Sequence, residues 1–445
     1  MSSEWRLTTL GKICVSQGGA IQTGPFGSQL HTSDYKIVGV PVVMPTNIGG
    51  DGGIAETGIA RIDQSDVDRL SQHKLQIADI VFSRRGDVTK NALIRSHEVG
   101  WLCGTGCLKV RLGNETIALA KFISYYLRQP DIKEWLVRHA VGATMPNLNT
   151  GILSAVPIFL PPIQIQQGIA EILGALDGRI ALLRETNTTL EAIAQTLFKS
   201  WFVDFDPVRA KQQGLEPEGM DAETAALFPD SFEESELGLV PRGWRVGNLE
   251  DCCIRLESGG TPKRSVAEYW NGNISWLTSG EVRNPIVFDT KETITELGLK
   301  ESSAKLWPEG TTVVAMYGAT AGEVCLLAQP TTANQACCGL IPRKDFRAFL
   351  FFYVRREREI LAAKSSGSAQ QNLNKGLVSG HQVLIPFDEV IVAYESVVGE
   401  LLNGWISNEK QAQTLASLRD TLLPRLISGQ LRLPEAEAMI EGIGR

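Results

Sequence analysis

No stretch of this 445-residue chain stays apolar for the ~18 residues that a membrane span needs. Its opening residues, MSSEWRLTTLGK, also lack the apolar core of a signal peptide. The expected compartment is the cytoplasm, without membrane contact. Histidine is scarce: the five lie singly at positions 31, 73, 97, 139 and 381, so no histidine cluster offers itself for catalysis. The eight cysteines do not read as a disulfide framework in a chain this long and expected in the cytosol. Cys103 with Cys107, Cys252 with Cys253 and Cys337 with Cys338 lack the further ligands of a four-coordinate zinc site, so no metal is expected. They read instead as small buried hydrophobes. Also missing are a G-x-x-x-x-G-K-[ST] phosphate loop, an N/D-P-P-Y/F methylation signature and a carboxylate–lysine cluster for a nuclease metal. The chain is therefore expected to have no catalysis of its own and to bind no cofactor.

The net charge of −7 conceals segregation. Residues 1–160 carry net +3, 161–241 net −9, 242–385 net +3 and 386–445 net −4. Mildly basic blocks alternate with acidic ones, so the total says little about any one surface.

One acidic block contains a long periodic stretch. Ile169, Leu173, Leu176, Ile180, Leu183, Asn187, Leu190, Ala194, Leu197 and Trp201 are spaced alternately four and three apart. That is a heptad seam, the pattern of a helix zipped against another helix. Pro161 and Pro162 suit its start, and Asp206-Pro207 its stop. At 1.5 Å per residue the helix reaches roughly 55 Å, which calls for a partner of similar length.

An internal repeat supplies that partner. Residues 147–162 (NLNTGILSAVPIFLPP) match 372–387 (NLNKGLVSGHQVLIPF), displaced by 225. Residues 78–94 (ADIVFSRRGDVTKNALI) resemble 310–327 (GTTVVAMYGATAGEVCLL), displaced by 232. The halves open alike, with Trp5-Arg6-Leu7 and Trp244-Arg245-Val246, and Cys107 corresponds to Cys337. A second helix is expected over about 389–426, with Tyr394, Val398, Leu401, Trp405, Ala412, Leu415, Leu422 and Leu426 on its seam. Asn408 and Arg419 interrupt that seam, and Pro424 is expected to bend or end the helix. Each preceding block mixes β-rich runs near 40–44, 80–83, 108–112 and 312–316 with helical runs at 118–141 and 346–363. Residues 207–241, acidic and rich in Pro and Gly, read as a tether. Two similar halves meeting about a pseudo-two-fold axis make the helices antiparallel, so the expected shape is a dumbbell with two heads on a two-helix ruler. Asn187 on the seam is a candidate for fixing register. Paired heads suit duplex DNA read as two half-sites at fixed spacing.

The stretch LPPIQIQQGIAEILGALDGRIALLRETNTTLEAIAQTLFKSWFVDFDPV resembles the central conserved region of type I restriction–modification specificity subunits. SELGLVPRGWRVGNLEDC is similar to the start of their second target-recognition domain, and IQTGPFGSQL, SGGTPKRSVAEYWNGNISWLTSGEV and the NLN loops follow the family's style. The resemblance spans nearly the whole chain and includes the duplication. It implies an α+β fold: two similar α/β target-recognition domains separated by two long antiparallel helices forming a coiled coil, with a pseudo-two-fold repeat. The implied segments are recognition domains at 1–160 and 242–387, long helices at 161–206 and 388–430, a linker at 207–241 and a tail at 431–445. Each recognition domain would read one half of a bipartite, asymmetric target in double-stranded DNA. The helices would set the spacer and dock two modification subunits, adenine methyltransferases using S-adenosylmethionine. Restriction (motor–nuclease) subunits using ATP and Mg²⁺ would complete the complex.

Candidate DNA contacts follow from residue chemistry. SRRGDVTKN places Arg84, Arg85 and Lys90 around a turn, where arginine can grip guanine edges and all three can pair with phosphate. GPFGSQ offers Ser28 and Gln29, the latter able to pair with adenine. In the second half GGTPKRS presents Thr261, Lys263 and Arg264, and Tyr317 takes the place of Arg85. Thr144, Gln370 and Gln371 lie on the NLN loops, which read as joints more than as readers because both halves share them. Two rivals stay open: an assembly scaffold whose heads bind proteins, and an enzyme with an unrecognised site.

Overall fold

The computed structural model describes residues 5–142, 145–364 and 373–443. The chain divides into two units, one of Met1–Arg179 with Thr414–Arg445 and the other of Ile180–Gln413.

In the first unit the two ends of the head are stitched together. Strand Arg6–Thr9 runs antiparallel to Pro157–Leu160, with Arg6 opposite Leu160. Between them lies an antiparallel sheet ordered Gly18–Thr23, Cys107–Gly113, Ile80–Ser83, Asn91–Leu93. A companion sheet is ordered Tyr35–Lys36, Ala60–Ile62, Val40–Val43, Leu102–Cys103, its last pair parallel. The second unit repeats this path. Arg245–Asn248 pairs with Gln382–Ile385, and the main sheet runs Cys253–Ser258, Cys337–Pro342, Thr312–Ala315, Val324–Leu327, Ile286–Val287. Its companion sheet is Glu292–Ile294, Trp270–Leu277, Thr332–Ala333, again with a parallel pair. The repeat is thus one of topology as well as of sequence. The helical runs are each broken in two: Ala120–Tyr126 and Pro130–His139, where Pro130 lacks the N–H to continue a helix, then Arg347–Arg356 and Arg358–Ala363.

The long helices are Ile163–Phe202 and Asp388–Ile427, 40 residues each. The first begins directly after Pro161-Pro162 and ends at Phe202, before Phe205 enters the left-handed region (φ 57°) and a new helix starts at Asp206. Ile169, Leu173, Leu176, Ile180, Leu183 and Trp201 are buried, whereas Leu190 and Leu197 are half-buried. On the second helix Trp405 and Leu422 are buried and Leu401 and Leu415 half-buried; Leu402 lies deeper than Leu401. Pro424 does not end this helix, which continues to Ile427. Within the first unit, Ile169, Leu173 and Leu176 share a core with Leu422 and Leu426. Within the second, Phe198 and Trp201 share one with Tyr394, Val398 and Trp405. Early residues of one helix meet late residues of the other, so the helices run antiparallel.

Two segments are more structured than their composition implies. Residues 207–241 are no free tether: Val208, Phe228 and Val240 are buried, Phe228 meets Trp201 edge to face at 5.1 Å, and Phe232–Ser235 pairs with Gly238–Pro241. The polar composition hid three apolar anchors. Residues 431–445 include helix Leu433–Ile443, with Leu431 and Ala436 buried in the first unit's core. Leu433 sits over Gly168, where a Cβ would come within 2.5 Å of it.

Asn187 is 5% exposed, and neither its amide nitrogen nor its oxygen finds a partner among the described residues. An unpaired buried amide costs about 1–3 kcal/mol. Asn187→Leu is therefore expected to raise the chain's stability by about 1 kcal/mol or more in denaturant titration, and a loss of stability would show that the amide is satisfied. Leu173→Ala is expected to cost about 3 kcal/mol, against less than about 0.5 for the exposed Leu182→Ala.

Candidate nucleic-acid interface

The NLN motif is a joint in both heads. Leu148 and Leu373 are fully buried. The N–H of Leu148 donates to the carbonyl of Arg84 at 2.9 Å, and that of Leu373 to the carbonyl of Met316 at 2.7 Å. The following asparagines cap short helices: Asn149 Oδ1 accepts from Ile152 N and Asn374 Oδ1 from Leu377 N. The loop thereby anchors the turn after the central strand of each main sheet. Thr144, Gln370 and Gln371 lie outside the described residues.

On the first head's turn, the three cations have different surroundings. Arg84 Nε donates to Asn147 Oδ1 at 3.2 Å, so part of this guanidinium is committed to the joint. Arg85 is exposed, its backbone bridged to Asn147, and Gly86 (φ 76°) makes the bend after it. Lys90 is half-buried beside Asp87, whose carboxyl the Thr89 hydrogen bonds and the Lys90 charge hold low against partial desolvation. At the equivalent place in the second head Tyr317 is 40% exposed and precedes the turn Gly318–Thr320.

A second pair of loops is equivalent in a way that sequence spacing did not show. Gly24 N donates to Cys107 O at 2.9 Å, and Gly259 N to Cys337 O at 3.0 Å. A Cβ at Gly24 would lie 2.1 Å from Gly104 O, and one at Gly259 2.3 Å from Asn334 O. Only glycine permits this approach, and it launches GPFGSQ and GGTPKR from the same corner of the two sheets. The shared cysteine was the available signal. In the first head Ser28 is exposed, and Gln29 turns back, its Oε1 accepting from Phe26 N at 3.0 Å. Arg69 Nη1 donates to the Gln29 carbonyl at 2.7 Å and its Nη2 pairs with Asp66 at 2.6 Å, pinning the loop. In the second head Lys263 is exposed and Thr261 donates to Gln335. Arg264 forms a two-point pair with Glu292 and lies 3.9 Å over the Trp270 ring and 4.8 Å from Trp276. Its charge is largely answered within the protein. Of the nine candidate contacts, Ser28, Arg85, Lys263 and Tyr317 thus present exposed ends, Lys90 is half-buried, and Arg84, Gln29, Thr261 and Arg264 are engaged by neighbours.

Each head is tied to the long helices by polar contacts. In the first unit Gln166 accepts from Leu119 N and donates to Ile117 O and Pro161 O, all at 2.8–3.0 Å. Asp177 accepts from Tyr125 Oη at 2.6 Å and pairs with Arg419 at 2.7 Å and Arg128 at 3.7 Å. Arg419, which interrupts the apolar seam in sequence, is therefore an ion-pair member. In the second unit Glu395 accepts from Ala348 N at 2.7 Å and Arg347 Nε at 3.1 Å, and Arg355 pairs with Glu191. Among the described residues no group of three or more His, Cys, Asp or Glu is placed to hold a metal ion. Burial pushes the Cys14 thiol up to about 11 and Cys103 and Cys252 up to about 12, as befits core packing. No helix of the described residues is long and apolar enough to cross a membrane.

Comparison with known proteins decides what these paired heads are. The model of the type I restriction modification DNA specificity domain matches residues 2–192 and again 241–394. The chain belongs to the type I restriction–modification DNA specificity family. Among relatives, it is 29% identical to the HindI specificity subunit of Haemophilus influenzae over 72% of this chain and 79% of that one. It is 25% identical to the MjaIX specificity subunit of Methanocaldococcus jannaschii over 71% and 70%. A crystal structure of a type I restriction–modification S subunit from M. genitalium shares the fold, at TM-score 0.59 and 16% identity, covering 95% and 96% of the two chains. As a specificity subunit the chain is the DNA-recognition component of a type I system and not a catalyst by itself. Both family matches fall on the halves that the repeat defines.

The two arginines of the first head should separate in experiment. Arg84→Ala is expected to destabilise the NLN joint by about 1 kcal/mol in thermal melting. Arg85→Ala should leave melting unchanged and weaken DNA binding. Should Arg85→Ala melt earlier and bind normally, Arg85 is a structural residue.

Proposed function

We propose that the two heads read the two halves of a bipartite, asymmetric target in double-stranded DNA, and that the long helices set the unread spacer between them. Equivalent loops of unlike chemistry carry this reading. On a common scaffold the first head presents Phe26, Ser28 and Arg85, where the second presents Lys263 and Tyr317. Serine and arginine can address base edges by hydrogen bonds, and lysine can address guanine or phosphate, so the heads would read different words. The helices would dock two modification subunits that methylate adenine with S-adenosylmethionine. Restriction subunits using ATP and Mg²⁺ would join this assembly. Two similar halves presenting similar helix segments suit two copies of one partner.

Mapping methylated adenines in the host genome, with and without this gene, tests the reading directly. A bipartite motif lost with the gene is expected. Replacing residues 242–385 by another head should change one half of that motif only. Removing seven residues from the first long helix should shorten the spacer, and an unaltered spacer would remove the helices' role as a ruler. Methylation by the purified chain alone would contradict its dependence on modification subunits.

A further inference from the structure

In the companion sheet of the first head, the chain makes an arch whose outward residues have no role in packing. Tyr35–Lys36 and Val40–Val43 pair with opposite edges of the same strand, Ala60–Ile62: both Tyr35 and Val40 face Ile62. Residues 37–39 must therefore cross over the strand's end. They cross tightly. Gly39 has φ 147°, and a Cβ there would lie 2.3 Å from the Ile62 carbonyl oxygen. Arg61 Nη1 clamps the crossing by donating to Gly39 O at 3.1 Å. With no room beneath, Ile37 and Val38 point outward and are 96% and 80% exposed. Lys36 beside them is exposed, and its Nζ donates to Ser33 O at 3.1 Å. Asp34, the nearby carboxylate in sequence, is occupied by His31 N at 2.8 Å and lies 3.9 Å from Arg69.

Two β-branched side chains on a pinned arch are costly to leave in water and contribute nothing to this core. They are also too few for a protein partner, since a standard interface buries roughly 800 Å² per side. On a DNA-recognition head, a small rigid apolar point flanked by a cation matches the wedges that proteins insert between base steps. We propose that Ile37 and Val38 form such a wedge, which enters the first head's half-site and kinks the duplex. This rests on the reading that the first head contacts one half-site. Because a kink favours flexible pyrimidine–purine steps, the wedge would add sequence preference without hydrogen bonds to bases.

The test uses the full chain assembled with its modification subunits, on a duplex carrying the motif from methylation mapping. Ile37→Ser with Val38→Ser is expected to lower specific affinity about tenfold or more and to reduce bending, read by energy transfer between the duplex ends. The slope of affinity against salt should stay unchanged. Lys36→Ala should lower that slope by about one, as for a lost phosphate contact. Ile37→Leu with Val38→Leu should keep affinity and bend. Both positions are exposed, so melting should not move. Affinity and bend within twofold of the parent in the double serine variant would overturn the wedge. So would an equal loss on non-specific DNA with a reduced salt slope. If exchanging the whole first head also left the motif unaltered, the underlying half-site reading would fail instead.

Discussion

Neither head closes its core alone. Leu10, Phe122 and Ile158 of the first head share one apolar cluster with Ile169 and Leu173 of the first long helix and Leu422 and Leu426 of the second. Phe349, Phe352 and Ile385 of the second head share another with Phe198 and Trp201 of the first helix and Tyr394 and Trp405 of the second. Burial of these stripes is the dominant favourable term in forming each unit, and it requires a segment of both helices each time. The helices are therefore parts of the units, not rods to which finished domains are attached.

Polar contacts then give each junction its direction. Hydrophobic burial is non-directional and would tolerate sliding. Gln166 satisfies three backbone groups at the start of the first helix, and Glu395 takes up the first turn of helix Arg347–Arg356. Asp177 and Glu191, two heptads apart on the first helix, each receive an arginine from the head packed beside them. Such partly buried pairs add little net stability, but a shifted register would leave their charges unpaired. The same logic separates scaffold from surface in the heads: Asn149 and Asn374 recur as helix caps, and the glycines at 24 and 259 because backbone geometry demands them. The residues between those fixed points differ freely.

Much of this was legible without coordinates because it rests on local periodicity and duplication. Heptad spacing located both helices to within about four residues, and the displacement of 232 aligned Ile80–Ser83 with Thr312–Ala315. Composition failed where few apolar residues anchor a polar segment. Val208 and Phe228 fold residues that otherwise read as a tether, and Leu431 and Ala436 do the same for the C-terminal helix. Pro424 failed as a stop signal because Leu422, Leu423, Leu426 and Ile427 are buried on either side of it, and that packing outweighs a missing hydrogen bond.

The duplicated order and the antiparallel helix pair were legible in the sequence from spacing along the chain, and the family from the resemblance of whole stretches, not from spacing. Tertiary structure decided which charged groups remain available to a ligand. Arg85 and Arg264 are both exposed arginines on loops of the heads, yet Glu292, Trp270 and Trp276 hold the second. Glu292 comes from a strand 28 residues further along, and its place beside Arg264 is set by the register of that strand against Trp270–Leu277, which no local pattern encodes.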